Sequence, residues 1–226
     1  MAVRTPKDVL RTIKLLAAVA LATMFATVRP LLLTEINIWL SVPLILISSI
    51  LVTYGISHFT DVVLENNLTF RRHVFGRNYI EGFWWAYVLV EGKFRIEVTC
   101  IEYKEGEFQI QGWQYADNNK ALGVTWKSQV VKFDGNKLTY FYHAVFHLRH
   151  GAPNVFGISE LTFIRKNVAS EPAAFSGYYE DFYTPGEVQH TFQAIRLTDR
   201  HAAIFPTSPF SVIDELAAVN APPQLI

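Results

Sequence analysis

Residues 79–198 consist of short segments in which apolar and polar side chains alternate, and this pattern restricts the fold more than any other feature of the chain. Each segment ends at residues that favour turns, among them Glu91-Gly92 and Glu105-Gly106. Asp134-Gly135 is the clearest hairpin turn, because this pair tolerates the positive φ angles of a tight primed turn. Eight β-strands are therefore predicted, over residues 79–90, 94–103, 107–115, 124–133, 137–148, 156–165, 175–183 and 188–198.

Strands joined by such short turns pair with their neighbours in sequence, which predicts an antiparallel meander. An open meander of this length would leave two unpaired edges, and closure removes them. With an even number of strands the first and the last run antiparallel, so Trp84 on the first strand is expected beside the last strand, which carries Arg196. The sequence thus predicts an all-β, eight-stranded antiparallel up-and-down β-barrel that is either filled by side chains or able to hold one small ligand.

Residues 1–59 predict a transmembrane α-hairpin that precedes the barrel. A basic stretch, residues 4–14, is followed by two uncharged apolar runs at about residues 15–33 and 38–56, interrupted only by Arg29 in the first. Each run is close to the ~20 residues that a spanning helix needs. A cleaved signal peptide would also fit the first run. The second run follows so closely, however, that a hairpin of two helices is the simpler interpretation.

The positive charges predict the orientation of this hairpin. Arg71, Arg72 and Arg77 follow the second run, whereas Arg29 alone, against Glu35, lies between the runs. Because cytoplasmic flanks carry the excess of Lys and Arg, both ends of the hairpin are expected in the cytoplasm. The N-terminus and the barrel should therefore lie on the cytoplasmic side of a membrane.

The segments that flank the barrel domain, residues 79–198, are shorter. Residues 60–78 form a predicted juxtamembrane connector, and residues 199–226 form a C-terminal tail in which four prolines exclude long regular structure. Ser211 is expected to cap one short helix of the tail. The tail is expected to pack on the mouth of the barrel.

The composition and the missing motifs exclude several classes of function. A formal net charge of zero provides no general field that would attract DNA. The single cysteine, Cys100, can form no internal disulfide and is expected to be a buried apolar residue. The sequence has no phosphate-binding loop, dinucleotide fingerprint or nucleophile elbow, and His143 and His147 lack further ligands at metal-binding spacing. We therefore predict no metal site, no catalytic residue and no enzymatic activity.

On the first, fifth and seventh strands the mostly apolar and aromatic sides are assigned to the lumen, although a shift of one residue would invert this assignment. On these sides four residues keep polar groups that need partners once buried, namely Tyr140, Tyr142, Tyr179 and Asp181. The tyrosines are either ordinary core residues or a platform for a flat ring such as a nucleobase. Stacking of that kind is worth roughly 1–3 kcal/mol per base.

Trp84 and Arg196 also allow two interpretations. A guanidinium stacked on an indole at the junction of first and last strands would be similar to the closure of lipocalin-type barrels. Alternatively, Arg196 points into the lumen and pairs with a phosphate, which its planar fork suits. Lys127 and Ser128 could reach the same anion, although a lysine on a strand is more often solvated. The candidate ligand-binding residues are Trp84, Ser128, Tyr140, Tyr142, Tyr179, Asp181 and Arg196.

Over nearly its full length the chain resembles the two-transmembrane, β-strand-rich effectors of bacterial cyclic-oligonucleotide anti-phage signalling (CBASS). The similarity lies in the order of a basic N-terminus, helical hairpin, basic connector and barrel, and in the local sequences Gly82-Phe83-Trp84, 138–142 and 177–181. The resemblance implies a receptor of the bacterial inner membrane, without enzymatic activity or cofactor, that binds a cyclic dinucleotide made by a partner nucleotidyltransferase. It also implies that binding drives homo-oligomerisation, and that the clustered hairpins disrupt the membrane and halt the infected cell.

Two other functions stay open on the sequence alone. One is a membrane-tethered, lipocalin-like carrier of an apolar small molecule, for which the lumen would need no partner for an anion. The other is a membrane-anchored scaffold whose barrel is simply packed and which no ligand would stabilise.

Overall fold

The computed structural model describes residues 11–12, 14–23, 38–90, 93–116, 121–148, 154–167, 170–182 and 189–219. The chain divides into two compact units, Met1–Gly76 and Arg77–Ile226.

The first unit is mainly helical. Residues 14–23 are helical, α1 spans Ile38–Asn66 and α2 spans Leu68–Phe75. Helix α1 continues past its predicted end at residue 56, because residues 57–66 contain neither glycine nor proline. Most of the predicted connector is therefore helix, and Asn67 divides it by accepting a hydrogen bond from the Phe70 N–H at 2.9 Å as the N-cap of α2.

Arg71 has a local role at the end of α1. Its guanidinium donates hydrogen bonds to the carbonyl oxygens of Leu64 and Glu65, at 2.7 and 2.5 Å. The last carbonyls of a helix lack intrahelical partners and carry partial negative charge, so a cation stabilises them. Arg71, one of the positive charges that predict the orientation of the hairpin, therefore also stabilises the end of this helix.

Large apolar side chains of α1 are exposed in this unit, with Ile47 at 59%, Ile50 at 61%, Leu51 at 64% and Phe59 at 68%. Over the residues that the structure describes, no helix combines the length and hydropathy of a membrane span. Residues 24–37, which include Arg29 and the link between the two predicted transmembrane helices, lie outside the described residues. The transmembrane hairpin thus stays a prediction.

The second unit contains the predicted barrel, closed and antiparallel throughout. Each strand pairs with its neighbours in sequence, and β1 pairs with β8 so that Trp84 lies directly opposite Arg196. The eight-stranded up-and-down topology predicted from the sequence is confirmed. The strands are β1 Gly82–Val90, β2 Lys93–Lys104, β3 Glu107–Ala116, β4 Ala121–Asp134, β5 Lys137–Phe146, β6 Val155–Arg165, β7 Pro172–Asp181 and β8 His190–Arg196.

Two-residue connections fix the register of three hairpins. Glu105 and Gly106 both have left-handed φ angles, 54° and 79°, as a type I′ turn requires. Each of these turns sets one pair, and the ladder carries the register from there along the strand, in β4–β5 as far as an irregularity between Ser128 and Val130. The pairs next to the turns are Val90 with Lys93, Lys104 with Glu107 and Asp134 with Lys137.

One end of the lumen is closed and apolar. The centroid of the fully buried Trp84 ring lies 5.2 Å from that of Phe175 and 5.7 Å from that of Phe163. Arg196 covers this cluster, with its guanidinium carbon 4.8 Å from the Trp84 ring centroid and hydrogen bonds to the Glu81 carbonyl (2.7 Å) and the Glu171 carboxylate (3.0 Å). We call the region around Trp84, Phe163, Phe175 and Arg196 the closed end.

The C-terminal helices α3, Asp199–Ile204, and α4, Pro209–Val219, pack on the outer wall of the barrel rather than on its mouth. Helix α4 begins at Pro209, so Ser211 lies inside its first turn and is not the predicted N-cap. Glu215 joins the two helices through Arg200 at 3.1 Å and His201 at 2.8 Å. The cluster under the helices contains Trp85, Ile96, Val98, Tyr115, Leu197, Phe205, Val212, Ile213 and Leu216.

This packing decides which side of β2 faces the lumen. Ile96 and Val98 are fully buried, yet they point outward, into the cluster beneath α3 and α4. The alternating polar residues of β2 must then face inward. The lumen of this barrel is therefore only partly apolar.

Candidate functional site

The polar residues of β2 and β3 meet inside the barrel. Ala86 on the lumen side of β1 pairs with Glu97, and Glu97 pairs with Gln114 on β3. Glu97, Thr99 and Gln114 are only 5%, 3% and 7% exposed. Together with Tyr142, Tyr179 and Asp181, they form what we call the polar end of the lumen.

Glu97 is the most perturbed acid of the polar end. Burial raises the pKa of its carboxyl to about 8, and hydrogen bonds from Gln114 and Thr99 offset only part of that effect. Near pH 7 the side chain is therefore mainly the uncharged acid. In that form it can donate one hydrogen bond as well as accept others.

Tyr140 and Tyr142 lie side by side on β5, with ring centroids 6.2 Å apart. The Tyr142 hydroxyl donates a hydrogen bond to Asp181 Oδ1 at 2.5 Å. Gly157 on β6 makes room for this phenol, because an added Cβ there would lie 2.3 Å from the Tyr142 oxygen. Burial and the neighbouring carboxylate of Asp181 raise the pKa of Tyr142, so its hydroxyl stays protonated and remains a donor.

Tyr179 completes the aromatic part of the polar end. Its ring stacks on His190 of β8, with centroids 4.8 Å apart and planes inclined by 23°. Burial raises the pKa values of Tyr179 and Tyr140, and the charge of Glu97 contributes to both shifts. The three phenols are thus neutral hydrogen-bonding groups beside two acidic side chains, Glu97 and Asp181.

Ser159 and Arg95 extend the polar set. Ser159 is 1% exposed, and its hydroxyl donates to the Tyr178 carbonyl at 2.8 Å. The half-buried Arg95 guanidinium donates to Gln114 Oε1 at 3.4 Å. Because Arg95 lies opposite Val88, near the last residues of β1, it brings a positive charge towards the mouth of the polar end.

The structure brings together four of the seven predicted ligand-binding residues, namely Tyr140, Tyr142, Tyr179 and Asp181. Ser128 pairs with Tyr142, but its hydroxyl accepts the hydrogen bond of the Ile110 N–H at 2.9 Å, next to an irregularity in the β4–β5 ladder. Trp84 and Arg196 lie at the closed end, in the arrangement that the closure interpretation expects. We therefore leave these last three residues out of the candidate site.

Five residues of the polar set were not predicted from the sequence, namely Arg95, Glu97, Thr99, Gln114 and Ser159. One feature of the sequence nevertheless indicates that three of them face the lumen. The two-residue connection Glu91-Gly92 places Val90 opposite Lys93, and simple counting then places Trp84 opposite Thr99. Directly opposed residues of an antiparallel pair share a face. With Trp84 inside, Thr99 and its alternate neighbours Glu97 and Arg95 must also be inside.

The histidines of β5 and its end lie elsewhere. The His143 ring stacks on Phe156 at 4.8 Å, and His147 Nε2 lies 3.0 Å from the Thr125 hydroxyl. In the part of the chain that the structure describes, no three side chains of His, Cys, Asp or Glu come together as a metal site would need.

Comparisons with protein-family models, curated proteins and solved structures found no match to this chain.

Proposed function

We propose that the barrel is a receptor, without catalytic activity, that binds a cyclic dinucleotide through the polar end of its lumen. The observation that carries the proposal is the buried set Glu97, Thr99, Gln114 and Ser159, each at most 7% exposed. Burying polar groups opposes folding unless each finds a partner, and apolar side chains would fill a small barrel more favourably. Such a cluster is therefore best explained by recognition of a ligand.

The chemistry of the polar end suits one nucleobase. Tyr142 and Tyr179 offer aromatic surface, and Gln114 and the uncharged Glu97 offer donors and acceptors for the edge of the base. A negative charge is disfavoured beside the carboxylate of Asp181 and would oppose ionisation of Glu97. The phosphates would therefore stay at the mouth, where Arg95 can contact them.

The first unit supports a membrane role for the same protein. The run at residues 38–56 is uncharged, and α1 exposes Ile47, Ile50 and Leu51. Exposed apolar side chains in contiguous sets favour a lipid or protein environment over water. We place the chain in the bacterial inner membrane with its barrel in the cytoplasm, where ligand binding would favour a homo-oligomer that disrupts the bilayer and ends infection. A ligand can shift that equilibrium only by its differential affinity for the assembled state.

A carrier of apolar ligands is the weaker alternative. At the closed end, Trp84, Phe163 and Phe175 occupy the apolar half of the lumen themselves, with centroids 5.2 to 5.7 Å apart. The remaining half is lined by two acidic, one amide and two hydroxyl side chains and by tyrosines. An alkyl chain there could form no hydrogen bond with any of these groups.

The test is calorimetric titration of the full-length protein in nanodiscs with a panel of cyclic dinucleotides. We expect one of them to bind, and Tyr179→Ala to weaken binding about tenfold or more, since stacking contributes roughly 1–3 kcal/mol per base. Tyr178→Ala is the matched control, because Tyr178 is the adjacent residue of β7 and alternates to the other face of the strand.

Three results would contradict the proposal. The first is an absence of binding across the panel, and the second is equal weakening by both tyrosine variants. The third is binding of fatty acids or retinoids alone, measured against empty nanodiscs, which would establish the carrier function instead.

A further inference from the structure

A groove of about 550 Å³ lies on the outside of the barrel, separate from the lumen. It forms where the segment between α3 and α4 extends over the outward faces of β2, β3 and β4. Ligand pockets of proteins typically measure ~300–1,000 Å³ and occur between packed elements. The groove therefore has the size of a small-molecule site, and the proposed function in the lumen makes no use of it.

One side of the groove is aromatic. The Trp113 ring centroid lies 5.5 Å from that of Phe205 and 6.5 Å from that of Phe83, whose plane is inclined to the indole by only 30°. Phe210 is 43% exposed and contacts Tyr115 at 5.6 Å. Pro206 and Pro209 also line the groove and restrict the backbone of the segment that carries these rings. The wall is thus preformed and partly accessible, as stacking of a flat ring requires.

The opposite side of the groove is polar and carries more positive than negative charge. Lys104 and Lys127 both line it and are exposed, and neither has an ion-pair partner among the described residues. The carboxylate of Glu102 accepts a contact from the Cys100 thiol at 3.6 Å. Two ammonium groups therefore face one carboxylate, on a chain whose formal net charge is zero. This local excess is complementary to an anion.

We propose that the groove binds a small planar aromatic anion, its ring against Trp113 and its carboxylate or phosphate beside Lys127, which pairs with Gln111, two residues from Trp113. Lys104 lies further along β2 and adds positive charge towards the other end of the groove. The lysines act as flexible point charges and so can accept either acid group. The amides of Gln109 and Gln111, which also line the groove, can donate hydrogen bonds to the same group. The site is independent of the proposed lumen ligand, because the strands of the barrel separate the two.

Tryptophan positions allow a test that reports where a ligand binds. The chain has five tryptophans, and Trp113 lines the groove whereas Trp126 faces the lumen. Full-length protein labelled with 5-fluorotryptophan in detergent micelles is titrated with 1-naphthoate and, separately, with the uncharged 1-naphthamide, and fluorine NMR follows each resonance. We expect 1-naphthoate to shift the Trp113 resonance and to leave that of Trp126 in place. Trp113→Phe assigns the resonance.

Charge variants test the recognition of the acid group. Lys104→Gln combined with Lys127→Gln should weaken 1-naphthoate about five- to tenfold, since exposed ion pairs contribute ~0.2–1 kcal/mol each, and should leave 1-naphthamide unchanged. Lys132→Gln is the matched control, because Lys132 is an exposed lysine of the same strand that does not line the groove. Phe210→Ala should weaken both compounds. Adenosine monophosphate in place of 1-naphthoate distinguishes a phosphate ligand from a carboxylate ligand, and a Trp113 shift with either supports the proposal.

Several outcomes would overturn this proposal without affecting the lumen site. One is a Trp113 resonance that neither 1-naphthoate nor adenosine monophosphate moves. Another is a double lysine variant that binds 1-naphthoate as tightly as the unaltered protein. A shift of Trp126 instead of Trp113 would place the anion in the lumen. Conversely, failure of every cyclic dinucleotide in calorimetry would end the receptor proposal and leave the groove site standing.

Discussion

The two ends of the lumen are built from the same strands but filled in opposite ways. At the closed end, the rings of Trp84, Phe163 and Phe175 lie against one another beneath Arg196. At the polar end, Glu97 and Gln114 occupy positions where an apolar side chain would serve stability better. The difference is that apolar packing stabilises the barrel at one end, whereas buried polar groups at the other end lower the stability that the same positions could provide.

This contrast separates residues that hold the fold from residues available for recognition. Arg196 is a charged lumen residue at the closed end, yet its hydrogen bonds go to Glu171 and to the Glu81 carbonyl. Glu97 is a charged residue type at the polar end, and burial there keeps it largely uncharged near pH 7. The same kind of side chain thus serves closure in one half, and in the other half it belongs to the site proposed for recognition.

The largest effect should come from removing the indole of the closed end. Trp84→Ala should lower the free energy of unfolding by about 3–5 kcal/mol, because the residue is fully buried and its loss leaves a cavity. Tyr179→Ala at the polar end should cost less than half as much, because Tyr179 itself is only half-buried. Urea denaturation of both variants makes the comparison, and equal losses would mean that the two ends do not differ in their structural role.

The pH dependence of stability should be a property of the polar end. Unfolding returns Glu97 from a pKa of about 8 towards its ordinary 4.5, so between these pH values the folded chain holds a proton that the unfolded chain releases. The free energy of unfolding should therefore fall by up to about 1.4 kcal/mol per pH unit as the pH rises from about 4.5 to about 8.

Glu97→Gln removes the titrating group but keeps the shape of the side chain. Denaturation midpoints of this variant should vary distinctly less over the same pH interval. Glu102→Gln, on the outward face of the same strand, is the control and should behave as the unaltered protein does. A Glu97→Gln protein with the original pH profile would show that the carboxyl is ionised in the fold.

Arg196→Met tests whether the guanidinium serves closure alone. Loss of its stacking on Trp84 and of its hydrogen bonds should lower the free energy of unfolding by about 2 kcal/mol. The affinity for a cyclic dinucleotide should not change, because the guanidinium lies at the closed end. Denaturation measures the free energy of unfolding and calorimetry measures the affinity, both on the same preparation. A large loss of affinity with unchanged stability would instead restore the phosphate-binding interpretation of this residue.

The smallest effect should come from Ser128→Ala. The hydroxyl accepts the Ile110 N–H at 2.9 Å, and leaving that donor without a partner should cost about 1 kcal/mol. Ligand affinity should stay within about twofold, as a backbone role predicts. Thermal denaturation measures the loss of stability, and calorimetric titration measures the ligand affinity. Weakened binding at unchanged stability would return Ser128 to the ligand site.

Much of the fold could be predicted because the signals are local. Turn residues such as Glu105-Gly106 and Asp134-Gly135 mark the strand ends, and short connections force neighbours to pair. Tyr140, Tyr142, Tyr179 and Asp181 were also found, since they alternate with residues that clearly face outward. Glu97 and Gln114 were not predicted, because the small and aromatic positions used to assign the lumen are those of strands one, five and seven.

The number of strands, their order and the meeting of Trp84 with Arg196 followed from the sequence by itself, since each depends on turns and on parity. What buries the outward apolar side of β2 was decided only by the tertiary structure. Alternation with a period of two looks the same whether the apolar side is buried inside the barrel or beneath a helix outside it. Ile96 and Val98 find their partners in Val212 and Ile213, more than 100 residues further along the chain, and no local pattern reports such a contact.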